Sequence, residues 1–183
     1  MRVVAGKRRG KKLEGLSTSE MRPTTDKVKE SIFNVIQFRI EGKVFLDLFA
    51  GSGQMGIEAL SRGAKGAIFV DCKKSSIDII KKNIKSCGFS DNSIIINQDF
   101  LSYLKSTSDH FDIAFLDPPY KAGILEDALK LAEKRMNKDG VIICECPFEK
   151  QMPQEVGNFI LYKKYQYGKI AVLLYLDKEE DIL

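Results

Sequence analysis

Histidine occurs once in this sequence, at His110, and cysteine four times, at Cys72, Cys87, Cys144 and Cys146, with no C-x-x-C pair. A zinc site needs a set of such ligands at recognisable spacing, and that set is missing, so no metal is expected. Hydrolysis through a Ser-His-Asp group would rest on His110 alone, in the polar stretch Ser108-Asp109-His110. These residues read more simply as reduced thiols and a loop histidine. No run of about 18 apolar residues exists, which excludes a membrane-spanning helix. Basic residues open the chain, but no apolar stretch follows them; no secretory signal is visible, and a cytoplasmic location is expected. Repeats and low-complexity segments are also missing.

What is present is the composition of one soluble folded unit. The chain has 183 residues, 44% hydrophobic and 30% charged, enough to bury a full core. A net charge of +4 conceals an asymmetry. Residues 1–39 hold ten Lys/Arg against four Asp/Glu, whereas the remaining 144 residues carry a net of −2. A basic arm on a near-neutral body is a common footprint of nucleic-acid binding, because each cation placed on a phosphate releases condensed counterions. Arg2, Lys7, Arg8, Arg9, Lys11 and Lys12 are the candidate contacts. A solvated tail would have the same composition.

Apolar periodicity divides the chain into elements. Arg2–Leu16 alternates weakly between glycines, as a small hairpin-like extension would. Pro23-Thr24-Thr25-Asp26 reads as a helix start, with Thr24 or Thr25 as the cap. Val28, Ile32, Val35 and Ile36 then form one helical stripe. From residue 43, short apolar runs alternate with helical patterns. Strands are expected at Val44–Phe49, Ala67–Val70, Ile94–Ile96, Phe111–Leu116 and Val141–Cys144. The last intervening helix is marked by Leu125, Ala128, Leu129, Ala132 and Met136. Such alternation implies a parallel sheet covered on both faces. Phe159–Tyr167 and Ile170–Leu176 have no room between them for a crossover helix and should pair as an antiparallel hairpin.

In such sheets ligands bind at the carboxyl ends of the strands. The first strand runs into Asp47-Leu48-Phe49-Ala50-Gly51-Ser52-Gly53-Gln54-Met55-Gly56, which contains G-x-G-x-x-G. Asp71 ends the second strand, where it could accept hydrogen bonds from ribose hydroxyls. That set alone does not separate a dinucleotide from S-adenosylmethionine. Asp47, just ahead of the glycines, places a carboxylate where an α-amino group could sit, whereas a dinucleotide site presents helix amides to a pyrophosphate. Asp99-Phe100 ends the third strand with an acceptor for an adenine amine and a ring beside it. Asp99 equally suits a helix cap.

Asp117-Pro118-Pro119-Tyr120 closes the fourth strand. Consecutive prolines remove two amide donors, so the Asp117 carboxylate and the Pro118 carbonyl remain as acceptors beside an aromatic ring. That composition suits a planar base with an exocyclic amine, which donates its two hydrogens while the ring stacks on the base. A proline-rich turn is the plain structural alternative.

With these motifs in place, the sequence resembles the class I S-adenosylmethionine-dependent amino-methyltransferases. More narrowly, Arg2-Val3-Val4-Ala5-Gly6 with Arg9-Gly10, then Arg22-Pro23-Thr24-Thr25-Asp26 leading into Glu30-Ser31-Ile32-Phe33-Asn34, is similar to the bacterial 16S rRNA guanine-N2 methyltransferase family that modifies position 966. The resemblance runs from residue 2 to the final hairpin. It implies a Rossmann-like, doubly wound α/β fold, with a mostly parallel seven-stranded sheet whose last strand is antiparallel, a small basic β extension and a helix. An N-terminal extension over residues 1–21 would precede a methyltransferase domain over 22–183. The cofactor implied is S-adenosylmethionine, held by Arg22, Thr24, Thr25, Asp47, Phe49, Gly51, Gly53, Asp71, Asp99 and Phe100. Asp117, Pro118 and Tyr120 would handle the target base, and the six cations of the arm would meet RNA. The partner implied is 16S rRNA or an assembling small ribosomal subunit, met by a monomer. An adenine-N6 methyltransferase acting on DNA would carry the same tetrapeptide. A nicotinamide oxidoreductase would explain the glycines but not residues 117–120.

Overall fold

The computed structural model describes residues 1–15, 25–120 and 123–179. Its sheet is built from β1 (Val44–Asp47), β2 (Gly66–Val70), β3 (Ser93–Ile96), β4 (Phe111–Leu116), β5 (Met136–Pro147), β6 (Glu155–Val156), β7 (Phe159–Tyr167) and β8 (Ile170–Asp177). The strand order is β3-β2-β1-β4-β5-β8-β7-β6. The first five strands are parallel, and β8 runs antiparallel between β5 and β7. The sheet therefore has eight strands rather than seven; the additional one is the two-residue β6, paired to the β7 edge. Chain order reverses between β1 and β4, which opens a crevice at their carboxyl ends.

Alternation along the central strands separates two cores. Phe45, Ile113, Phe115, Val141 and Ile143 face α1 (Asp26–Val35), α2 (Gln54–Ser61) and α3 (Lys74–Cys87). Leu46, Ala114, Leu116, Ile142 and Cys144 face α4 (Phe100–Ser106) and α5 (Leu125–Glu133). The apolar content of these strands thus fills both layers, as a sheet covered on both faces requires.

Two expectations shift. The stripe of α1 buries Val28, Ile32, Phe33 and the following Ile36, while Val35 is 39% exposed. The buried arc is centred between Ile32 and Lys29, so Val35 falls at its margin. Met136 opens β5 instead of closing α5: it pairs with Phe111, and extra residues in β5 then shift the register so that Val141 meets Ile113.

The first fifteen residues form a small hairpin-like extension, with one antiparallel bridge, Arg2 to Lys12, around a tight turn at Gly6–Arg8. Buried Glu58 of α2 accepts from the Val4 and Ala5 amides at 2.7 and 2.9 Å. The same carboxylate pairs with Arg62 at 2.9 Å and with fully buried Lys29 of α1 at 3.8 Å. Lys29 also donates to the Arg2 carbonyl. One glutamate therefore ties arm, α1 and α2 together, each partner satisfying a charge that burial would otherwise make costly.

Candidate active site

The glycine loop follows β1 and leads into α2. Gly53 occupies the helix cap with φ +76°, a left-handed conformation that glycine adopts without a Cβ penalty. A Cβ on Gly56 would stand 2.3 Å from the Phe69 ring, so a glycine is needed for α2 to approach β2 this closely. The Gly56 amide donates to Asp47 Oδ2 at 3.0 Å, and the Gly51 amide to Asp71 Oδ2 at 2.9 Å. The two acids that end β1 and β2 thus shape the loop through its backbone. Asp71 Oδ1 also accepts from the Lys73 amide at 2.8 Å. A carboxylate has about four acceptor sites, so both acids keep capacity for a ligand.

Asp47 is 2% exposed, and burial pushes its carboxyl up to about 7 against the pull of the Gly56 amide, with nearby Asp71 adding to the rise. A buried acid poised this way favours a cation brought to it. The chemistry fits an α-amino group. Phe49 and Phe100 come together with ring centroids 5.5 Å apart, an aromatic pair beside the same loop. Asp99 is the N-cap of α4, accepting from the Ser102 amide at 2.9 Å; the Ser102 hydroxyl first, and then this amide, hold its carboxyl below the usual range. Asp47, Phe49, Gly51, Gly53, Asp71, Asp99 and Phe100 all lie on segments that end or follow β1, β2 and β3. These residues fit the amino acid, ribose and adenine portions of S-adenosylmethionine. Thr25 caps α1, its Oγ1 accepting from the Val28 amide at 3.3 Å. Arg22 and Thr24 lie outside the described residues.

Asp117 follows β4, next to β1 across the switch point. Burial raises its carboxyl well above the ordinary carboxylate range, and Glu145 and Asp47 push it further the same way. Three acids therefore converge on one face of β1, β4 and β5. Tyr120 donates through its hydroxyl to Glu145 Oε1 at 3.2 Å, and the residue is 46% exposed. Burial and then the neighbouring Glu145 push that phenol upward, so it stays a donor. Pro118, Pro119, Tyr120 and Glu145 line one recess with Pro147 and Lys150.

Glu145 is the residue that sequence reading missed. The strand was expected to stop at Cys144, yet Glu145 continues β5 and is 2% exposed. Its signal was an acid ending an apolar run, the pattern already noticed at Asp47, Asp71 and Asp117.

The arm divides its cations. Arg8 donates to the Cys87 carbonyl at the end of α3 and lies 5.8 Å from the Phe89 ring centre. Arg2 pairs with Asp26 at 3.1 Å. Lys7, Arg9, Lys11 and Lys12 are exposed. The arm also reaches the glycine loop. Asn83 of α3 donates to the Ser52 carbonyl at 2.9 Å and exchanges hydrogen bonds with the Glu14 backbone. Ser52 Oγ donates to the sulfur of Met1 at 3.1 Å. His110 is exposed, with a ring nitrogen 3.1 Å from the Ser108 carbonyl.

Comparison with known proteins agrees with this architecture. Residues 1–176 match the profile of the family described as Conserved hypothetical protein 95. The chain is 33% identical over 177 residues to Ribosomal RNA small subunit methyltransferase D of Escherichia coli (strain K12), covering 96% of this chain and 89% of that one. To the protein of the same name from Haemophilus influenzae it is 38% identical over 181 residues, covering 96% and 93%. The solved structure of the Escherichia coli protein yhhF superposes with a TM-score of 0.87 at 32% identity, covering 97% of each chain. The chain thus belongs to the Conserved hypothetical protein 95 family, in the company of the proteins named ribosomal RNA small subunit methyltransferase D.

Proposed function

We propose that this protein methylates the exocyclic N2 of a guanine in 16S rRNA, at the position-966 site of its family, with S-adenosylmethionine as donor. The observation that carries the reading is the convergence of buried Asp47, at the glycine loop, with Asp117 of the Asp-Pro-Pro-Tyr turn on adjacent strands. When bound, the cofactor supplies an activated methyl group on a sulfonium. Asp47, the glycine loop, Asp71, Asp99, Phe49 and Phe100 would hold it, with Arg22, Thr24 and Thr25 at the border.

Asp117 and the Pro118 carbonyl accept the two N–H bonds of the target amine, and Tyr120 stacks on the base. Held this way, the nitrogen lone pair no longer delocalises fully into the ring and projects out of its plane. Fixing that orientation supplies much of the acceleration. The base must leave its stack to reach the turn, as enzymes acting on bases generally require. The extension over residues 1–21 serves RNA, and residues 22–183 carry catalysis. The names of the relatives support an rRNA substrate.

The test is labelled methyl transfer to rRNA lacking the modification, followed by nucleoside mass spectrometry. N2-methylguanosine is the expected product, and N6-methyladenosine would overturn the reading. Asp117→Ala should lower turnover by about 10²-fold or more while S-adenosylhomocysteine affinity stays within a few-fold.

A further inference from the structure

We propose that Glu145 selects guanine over adenine by accepting the N1–H of the base whose amine is held at Asp117. The inference rests on the guanine-N2 reading and says how that specificity is built. The Asp-Pro-Pro-Tyr turn supplies acceptors for any exocyclic amine, on guanine or on adenine. What differs between the two bases is the ring nitrogen beside that amine. In guanine N1 carries a hydrogen, so the edge presents adjacent donors. In adenine N1 presents a lone pair.

The strands set Glu145 beside Asp117. β4 and β5 pair in parallel, with Phe115 opposite Ile143 and Leu116 opposite Cys144. Asp117 and Glu145 are the next residues along each chain. Phe115 and Ile143 share one core, so pleat alternation turns Asp117 and Glu145 to that same face. Neighbouring strands lie about 4.8 Å apart, which sets two carboxylates side by side along one base edge. Glu145 lines the recess formed by Pro118, Pro119 and Tyr120.

Tyr120 fixes what Glu145 can do. Its hydroxyl donates to Oε1 at 3.2 Å and orients the carboxylate, whose two oxygens together have about four acceptor sites. A carboxylate there welcomes N1–H and repels a lone pair. Selection therefore has an attractive part for guanine and a repulsive part for adenine. Buried sites built around one hydrogen bond reject analogues that lack it by large factors.

The experiment compares RNA carrying guanine with RNA carrying 2-aminopurine at the target position, using wild type, Glu145→Gln and Tyr120→Phe. 2-Aminopurine keeps the reacting amine but has a lone pair at N1. Wild type should prefer guanine by about 100-fold or more in kcat/KM. In Glu145→Gln the carboxamide can donate to that lone pair, so the preference should shrink about tenfold or more. Tyr120→Phe should shrink it in the same direction, and decides the matter if Glu145→Gln does not fold. A structural role would lower both substrates in proportion and leave the ratio alone. An active wild type whose ratio survives these substitutions overturns the role of Glu145 only. A wild type that methylates no guanine RNA overturns the function as well.

Discussion

At the scale of single residues, the role proposed for Asp47 would couple cofactor binding to pH. Its carboxyl sits at about 7 because burial outweighs the Gly56 amide. A bound α-amino group favours the ionised form, so below that value a proton must leave before binding. S-adenosylhomocysteine affinity should therefore fall about tenfold per pH unit below 7 and level off above it. Calorimetric titration between pH 5.5 and 8.5 measures this, and Asp47→Asn should bind weakly with little pH dependence. A flat wild-type profile would contradict the assignment. The sign for folding runs the same way. Between the unfolded value near 3.8 and the folded value, the native state holds the extra proton. Stability from this group thus declines as pH rises, by about 1 kcal/mol between pH 6 and pH 8, relative to Asp47→Asn.

At the scale of elements, the Glu58 carboxylate joins parts that no local pattern connects. It receives the arm through two amides, α1 through Lys29 and its own helix through Arg62. Lys29 is lowered from its ordinary value mainly by burial, opposed by Glu58 and Asp26, so its charge depends on these partners. Glu58→Gln should destabilise the fold by about 3 kcal/mol, since one charge of a buried pair is left uncompensated. Chemical denaturation measures the loss, and limited trypsin digestion should cut sooner within residues 1–15. A variant with unchanged stability and an intact arm would show that packing, not this carboxylate, holds the extension. Because α2 begins at the glycine loop, the same element links the arm's seat to the cofactor site.

At the scale of the molecule, residues 1–39 carry a net +6 ahead of a nearly neutral remainder. Two of the arm's cations also anchor it to the body. All six cations of the arm are exposed, but Arg8 and Arg2 also bond to α3 and α1, leaving Lys7, Arg9, Lys11 and Lys12 as the candidate RNA contacts. Neutralising those four should weaken rRNA binding and reduce the slope of log affinity against log salt by about 2 to 4. Filter binding across a salt series checks this. Arg8→Ala should instead lower stability with little change in slope. An unchanged slope in the fourfold variant would make the arm a structural element alone.

Much of this was legible before the chain was folded. Alternating strand and helix periods specified a covered parallel sheet, because side chains on both faces had to be apolar. Asp47, Asp71, Asp99 and Asp117 were visible as acids at or just past strand ends, since each breaks or follows an apolar run. A helix cap at Thr24 or Thr25 was likewise readable from local chemistry, and the structure assigns it to Thr25. Other features depend on distance in space. Glu145 gains meaning only when β5 pairs with β4 and sets it beside Asp117 and Tyr120. Lys29 and Glu58 look like ordinary surface charges until two helices and the arm close over them. Arg8 cannot be told from Lys7 by sequence, yet one grips α3 and the other does not. Sequence determines period, caps and strand-end chemistry because those act within a few residues. Burial, charge pairing and base selection arise between segments far apart in the chain, so only the tertiary fold decides them.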